Sequence, residues 1–247
     1  MAEKKNIAVT LKNVHITYRT LKKRTIRSSW FKQKEKVDVF EAVKGISFEL
    51  EEGKILGIIG RNGSGKSTLL RAIAGVFSQD KGSINLHGNT VSLLSIGVGF
   101  NKKLTGYENI YLSGMLLGFD EKQIKEKEKE IIDFADIGDF IYKPVKTYSS
   151  GMYSKLAFAI TAILETDIML IDEVLSVGDS QFKKKSYDKM KELISDDKRT
   201  VIIVSHNIST LKELCDEVLW IDNGINKMIG NTNEVLKEYE KFMKESV

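Results

Sequence analysis

Residues 60–67 read Gly-Arg-Asn-Gly-Ser-Gly-Lys-Ser, a glycine-rich stretch that ends in a lysine and a serine. It matches the pattern G-x-x-x-x-G-K-[S/T], whose glycines allow backbone N–H groups to converge on phosphate oxygens. A short apolar stretch, 55–59, precedes it and has the composition of a buried strand. A helix with apolar residues on one face is predicted from Lys66 onward. The stretch therefore predicts a phosphate-binding loop at a helix N-terminus, where the helix dipole adds positive potential.

The residues of this loop have expected roles in binding ATP and magnesium. Lys66 would pair with the β- and γ-phosphates, and the Ser67 hydroxyl would ligate Mg²⁺. The residues expected to surround the nucleotide are Gly60, Arg61, Asn62, Gly63, Ser64, Gly65, Lys66, Ser67 and Thr68. The alternative is a glycine-rich turn that binds no ligand.

A second motif, Ile168-Met169-Leu170-Ile171-Asp172-Glu173, is an apolar strand that ends in two carboxylates. Ligands of an open α/β sheet bind at the carboxyl ends of its strands. Asp172 could hold the magnesium ion through its water, and Glu173 could polarise the attacking water. Alone, the motif could also be a strand-to-helix junction with a cap. Its combination with the phosphate loop favours ATP hydrolysis.

Two further motifs are weaker. Residues 149–152, Ser-Ser-Gly-Met, begin an amphipathic helix, and they predict either an anion site or an ordinary N-cap. Residues 200–204 form an apolar strand that runs into Ser205-His206. His206 could reach a γ-phosphate from there, or it could be a satisfied turn residue.

Apolar strands alternate with helices along most of the chain, which predicts an α/β fold with a parallel sheet. Near-alternating apolar residues in the first 50 positions predict strands before that core. Residues from about 105 to 164 contain only helical patterns, beginning with a capping-box spacing at Thr105 and Glu108. We interpret them as a helical subdomain inserted into one domain, 1–247, that closes with a helix over about 232–247.

The composition places the chain among globular proteins that remain in the cytoplasm. The chain has 247 residues, of which 42% are hydrophobic and 29% charged, and its apolar runs are far shorter than a membrane span. The first residues lack the apolar stretch of a signal peptide. The single cysteine, Cys215, excludes an intrachain disulfide and is expected to be a packed core thiol.

The positive charge is concentrated in one segment. Residues 22–36 contain seven lysines and arginines against Glu35, whereas the rest of the chain has 31 basic and 33 acidic residues. A general nucleic-acid binder more often spreads its basic residues over a face of the fold. Residues 20–38 are therefore interpreted as a basic insertion. They could be a solvated loop, or they could touch a membrane surface, a partner or an anionic headgroup.

The order of these motifs resembles that of the nucleotide-binding subunits of ABC transporters, over roughly residues 7–230. The resemblance implies a P-loop core of ABC type, with an N-terminal antiparallel β-subdomain and the inserted helical subdomain. It implies that Glu173 is the catalytic base and that His206 senses the γ-phosphate. Tyr18 would stack on adenine, with Phe40 as the alternative.

The same resemblance implies that two copies of the chain form a dimer around ATP. Ser149, Ser150 and Gly151 would be the signature motif, which contacts the γ-phosphate bound by the second copy. Asp179 would belong to the loop that contacts the dimer partner.

Within that family, several stretches resemble the ATPases of polysaccharide and teichoic-acid exporters. These are residues 104–110, 146–153, 156–159 and 172–179, together with the insertion after Tyr18. This branch implies integral membrane permease subunits as partners, no nucleic acid, and a lipid-linked polymer as cargo. The chain would sit at the cytoplasmic face of the membrane, held there by its partner.

One departure and two alternatives remain. The glutamine that usually joins core and helical subdomain is missing, and Leu94-Ser95-Ile96-Gly97 occupies its place, which leaves the metal-sensing role there open. A transporter ATPase for another cargo, such as a lipid, peptide or drug, is the first alternative. A soluble ABC protein acting on ribosomes or DNA is the second, although such proteins usually carry tandem domains or a long coiled coil.

Overall fold

Two long strands begin an antiparallel sheet at the N-terminus. The computed structural model describes residues 6–21, 37–94, 99–172, 179–194 and 199–245. Strand β1 (Ile7–Leu21) lies between β2 (Val37–Glu51) and β4 (Lys81–Asn85) and runs antiparallel to both. Its apolar residues face inward, so the sheet covers one side of the core.

The second sheet is mainly parallel and presents the predicted motifs at the ends of its strands. Its order is β5-β6-β7-β3-β8-β9, with parallel pairing from β5 to β8 and an antiparallel edge at β9. Every residue of β6 and β7 is buried, as expected where both faces of a parallel sheet are covered. The strands are β3 (Ile55–Ile59), β5 (Val91–Leu94), β6 (Ile168–Ile171), β7 (Thr200–Val204), β8 (Glu217–Asp222) and β9 (Ile225–Asn231).

Three helices lie between β5 and β6 in the chain and form a core of their own. These are α2 (Gly106–Leu116), α3 (Glu121–Ala135) and α4 (Ser150–Ile163), with two short 3₁₀ helices at Gly138–Tyr142 and Val145–Thr147. The predicted capping box at Thr105 is confirmed, and Asp120 forms a second one at the start of α3. The predicted fold class, an α/β P-loop core with an antiparallel β-subdomain and an inserted helical subdomain, is confirmed.

The remaining helices pack on the sheets. They are α1 (Lys66–Ile73), α5 (Ser180–Ile194), α6 (Ile208–Leu214) and α7 (Thr232–Glu245). Helix α7 packs on β8 through Val235, Leu236 and Tyr239, which contact Trp220 in one buried cluster. Cys215 packs at the edge of this cluster, and burial raises the pKa of its thiol to about 12. The thiol is therefore packed as predicted.

Some predicted features lie outside the described residues. They are residues 22–36 of the basic insertion predicted over 20–38, the segment around Ser95 that replaces the glutamine, and Glu173. The ends of that predicted insertion belong to β1 and β2. Across the part of the chain that the structure covers, no helix combines the length and apolar character needed to cross a membrane.

Candidate nucleotide-binding site

The phosphate loop connects the buried strand β3 to helix α1 and is packed tightly on its inner side. Gly65 has φ +104°, and a Cβ there would lie 2.3 Å from the carbonyl oxygen of Ala42. A Cβ at Gly60 would lie 2.1 Å from the carbonyl oxygen of Ile221. Side chains at these two positions would push the loop away from β2 and β8. The two glycines therefore allow the loop to lie directly against both strands.

Lys66 is held inside the loop although it carries a charge. It is only 6% exposed, and its Nζ donates hydrogen bonds to the carbonyl oxygens of Gly60 and Arg61, both at 2.9 Å. A phosphate oxygen is a stronger partner for an ammonium group than a neutral carbonyl is. The loop thus keeps the lysine charge in position for an anion.

Ser67 and Asp172 meet at the mouth of the loop. The Ser67 hydroxyl in the first turn of α1 donates to Oδ1 of Asp172, just after β6, over 3.1 Å. Both are hard oxygen ligands, and Mg²⁺ typically takes one or two carboxylates together with waters and substrate phosphates. The described residues contain no group of three or more His, Cys, Asp or Glu side chains that could hold a metal by themselves. The Ser67–Asp172 pair offers a hydroxyl and a carboxylate oxygen, which fits the oxygen ligands that magnesium takes.

The loop forms the floor of a cleft of about 270 Å³. Its walls are residues 62–68, together with Phe40, Ala42 and His206. His206 follows the end of β7 and is exposed. The parallel sheet thus brings together residues that are more than 100 positions apart in the chain.

The two aromatic candidates for stacking on adenine occupy different places. Tyr18 and Phe40 are paired across β1 and β2, so their side chains leave the same face of the sheet. Phe40 is 58% exposed and lines the cleft. The Tyr18 hydroxyl lies 3.2 Å from the Thr68 hydroxyl, and its ring meets Phe77 edge-on at 6.2 Å. Phe40 is thus part of the described cleft wall, while Tyr18 contacts α1 beside it.

The residues 149–151 lie apart from this cleft. Ser149 is the N-cap of α4, and its hydroxyl accepts a hydrogen bond from the N–H of Met152 at 3.2 Å. None of the three residues lines the described part of the phosphate-loop cleft. Within one chain, residues 149–151 therefore lie away from the described phosphate-loop cleft.

Asp179 has a partner that the sequence reasoning missed. The Nζ of Lys155 lies 2.8 Å from Oδ2 of Asp179, and Oδ1 accepts the N–H of Phe182 at 2.9 Å. The hydrogen bond from Lys155, followed by that from Phe182, lowers the pKa of Asp179 to about 2. Lys155 is the only charged residue of α4, and this is the signal that could have revealed it. The pair links α4 to the start of α5.

A family model described as ABC transporter matches residues 43–176, a range that includes the phosphate loop, residues 149–151 and Asp172. The chain belongs to the ABC transporter family. Solved members of that fold agree with the structure. An ATP-binding subunit of an ABC transporter has a TM-score of 0.70 at 18% identity, covering 94% of this chain and 93% of its own. A dimeric ATP-binding cassette bound to ADP and phosphate has a TM-score of 0.67 at 20% identity, covering 91% of this chain and 98% of its own.

Relatives within the ABC family have names that refer to polymer export. The teichoic acids export ATP-binding protein TagH of Bacillus anthracis is 49% identical over 82% of this chain and 37% of its own length. The O-antigen export system ATP-binding protein RfbB of Myxococcus xanthus is 40% identical over 95% of this chain and 56% of its own. TagH of Staphylococcus epidermidis is 42% identical over 97% of this chain and 90% of its own. The chain thus spans about a third to three fifths of the length of the first two relatives.

Proposed function

We propose that this chain is the ATP-binding and ATP-hydrolysing subunit of an exporter. It powers the passage of a lipid-linked cell-surface polysaccharide or teichoic acid through a separate membrane subunit. The observation that carries the ATPase part is the convergence of Lys66, Ser67 and Asp172 at one edge of the parallel sheet. The relatives' names, which refer to export of teichoic acids and O-antigen, support the cargo class.

ATP binding begins with the phosphate loop. The loop N–H groups and the N-terminus of α1 face the cleft, and Lys66 exchanges its two carbonyl acceptors for phosphate oxygens. Ser67 and Asp172 would hold a magnesium ion, which would offset the negative charge of the phosphates. Phe40 or Tyr18 stacks on the adenine from the hairpin of β1 and β2.

Hydrolysis needs a base and a group that responds to the γ-phosphate. Glu173 directly follows Asp172 in the chain, and its carboxylate accepts a proton from the attacking water. His206 lines the cleft and donates a hydrogen bond toward the γ-phosphate. The products are ADP and inorganic phosphate.

The complete site needs two copies of the chain. Residues 149–151 stand outside the walls of their own cleft, at a helix N-terminus that suits an anion. In a homodimer, they contact the γ-phosphate held by the other copy, while Asp179 lies at the contact. ATP thereby joins the two copies, and hydrolysis releases them.

The dimer works beneath integral membrane permease subunits, at the cytoplasmic face of the cell membrane. It binds no nucleic acid, and the permease carries the lipid-linked polymer. The wording "export ATP-binding protein" in the relatives' names supports this division of labour. The basic segment 22–36 of the insertion follows the strand that carries Tyr18 in the sequence, and its charge suits a surface that meets anionic groups.

The substitution Glu173→Gln tests the ATPase and the dimer together. The amide keeps the shape of the side chain and loses the base, so hydrolysis should become very slow while ATP binding persists. With Mg-ATP, the variant should elute as a dimer in size-exclusion chromatography. Glu49→Gln, on an exposed position of β2, is the control and should behave as wild type. A Glu173→Gln variant that turns over at the wild-type rate, or stays monomeric, would contradict these roles.

The cargo is tested in the assembled transporter. Reconstituted with its permease in vesicles, the chain should hydrolyse ATP faster when a lipid-linked polymer is supplied than with the lipid alone. Stimulation by peptides or by unrelated lipids instead would argue for another cargo.

A further inference from the structure

The phosphate loop also contacts the hairpin of β8 and β9. The N–H of Gly224, in the turn between β8 and β9, donates to the carbonyl of Ser64 at 3.0 Å. The close approach of Gly60 to the carbonyl of Ile221 belongs to the same hairpin. The loop therefore contacts β8 and the turn that leads into β9.

Arg61 is the loop residue that reaches this helix. Its carbonyl accepts hydrogen bonds from Nζ of Lys66 at 2.9 Å and from the N–H of Ser64 at 3.2 Å. Its guanidinium carbon lies 5.0 Å from the centroid of the Phe242 ring on α7, within the range of a cation–π contact. One residue thus holds Lys66 by its backbone and α7 by its side chain.

Phe242 is itself held in place by packing. Its ring centroid lies 5.0 Å from that of Trp220, whose ring meets Tyr239 edge-on at 5.5 Å. Tyr239 and Trp220 are almost fully buried. The ring of Phe242 is also approached by Nζ of Lys227, at 5.5 Å from its centroid. Arg61 belongs to the phosphate loop, whereas Lys227 lies on β9.

We propose that Phe242 is a positioning residue for ATP binding, which acts through Arg61 to hold the phosphate loop in its binding conformation. The inference rests on the proposed function of the loop. The ring limits the motion of Arg61. The phosphate loop therefore loses less conformational entropy when it binds phosphate, which favours binding. Phe242 does not line the described cleft. We therefore expect it to affect the affinity for the nucleotide and not the hydrolysis step.

The test is the affinity of the intact chain for ATP, measured by calorimetry. Phe242→Leu keeps an apolar side chain and removes the aromatic face, so the dissociation constant should rise roughly two- to fivefold. The hydrolysis rate at saturating ATP should stay unchanged, while the KM for ATP rises. Phe242→Tyr, which restores the aromatic face, should restore the affinity. Lys227→Gln is the matched control and should leave the affinity unchanged, because it touches the same ring from outside the loop.

A double-mutant cycle separates positioning from a general loss of stability. In an Arg61→Gln background, Phe242→Leu should weaken ATP binding no further. An equal loss in both backgrounds, or an unchanged affinity in Phe242→Leu, would overturn the inference. Should Phe242→Leu fail to fold, Phe242→Met replaces it in the same cycle and is judged by the same outcomes. If the wild-type chain binds no ATP, the proposed function fails, and the inference fails with it for that separate reason.

Discussion

Lys66 brings a nearly buried positive charge to the cleft. It is the only lysine or arginine among the described residues that line the cleft, and it is nearly buried there. Lys66→Ala should weaken ATP binding about 100-fold or more, because two charge-assisted hydrogen bonds to phosphate are lost. Calorimetry checks this, with Lys237→Ala on the exposed side of α7 as the control. An unchanged dissociation constant in Lys66→Ala would remove the basis for the phosphate-loop assignment.

The ion pair between Lys155 and Asp179 predicts how the Asp179 carboxyl group responds to pH. The pKa of Asp179 is about 2 in the folded chain, below the value of about 3.9 of an unfolded aspartate. Its contribution to stability is therefore complete above about pH 4 and is lost as the pH falls toward 2. Lys155→Gln should raise the pKa of Asp179 toward its ordinary range, as followed by NMR of the carboxyl carbon. Lys189→Gln, whose lysine pairs with Glu192 on α5, should leave that pKa unchanged.

The stability of helix α2 depends on the capping box at its N-terminus. The Thr105 hydroxyl accepts the N–H of Glu108 at 3.1 Å, and the Glu108 carboxylate accepts the N–H of Thr105 at 2.7 Å. Thr105→Ala removes the cap, which should lower the free energy of unfolding by about 1 kcal/mol in urea denaturation. Thr105→Ser keeps the hydroxyl and should retain most of the stability. Equal losses in the two variants would show that the methyl group, and not the cap, is responsible.

The uneven distribution of charge along the chain suggests a role for the basic insertion. Outside residues 22–36 the chain is slightly acidic, and the insertion also contains Ile26, Trp30 and Phe31. Ile26 and Trp30 lie outside the described residues, and their spacing in the sequence predicts a short amphipathic helix. Near an anionic leaflet each basic residue can contribute about 1 kcal/mol at low salt. We therefore expect the insertion to touch the membrane surface, the permease or an anionic headgroup, and to take no part in hydrolysis.

The experiment compares two activities of the same variants. Replacing Lys22, Lys23 and Arg24 by Gln, or Trp30 and Phe31 by Ser, should leave the ATPase rate of the isolated chain nearly intact. Export by the assembled transporter should be weaker. The control removes three exposed charges from α7, with Lys237, Lys241 and Lys244 replaced by Gln. Normal export by both insertion variants would make the segment a solvated loop.

Much of the fold could be predicted because its signals are local. About eight consecutive residues or fewer contain each of these signals: the phosphate loop, the capping box at Thr105 and each short buried strand. Their spacing reflects backbone geometry, which depends on neighbours in the chain. The α/β class followed because buried parallel strands read as continuous apolar runs. The same argument placed Asp172 and His206 at strand ends, and the structure puts Asp172 beside Ser67 and His206 at the cleft wall.

Other features depend on contacts between elements that are distant in the chain. The positions of Tyr18 and Phe40 beside the cleft depend on how the hairpin of β1 and β2 lies over α1, which neither residue's neighbours determine. The Lys155–Asp179 pair and the contact of Arg61 with Phe242 join residues 24 and 181 positions apart. Such contacts arise when packing of the sheets and helices brings distant side chains together, and no local periodicity encodes them. The sequence determined which elements form and which chemistry they carry, whereas the packing of those elements determined which side chains meet.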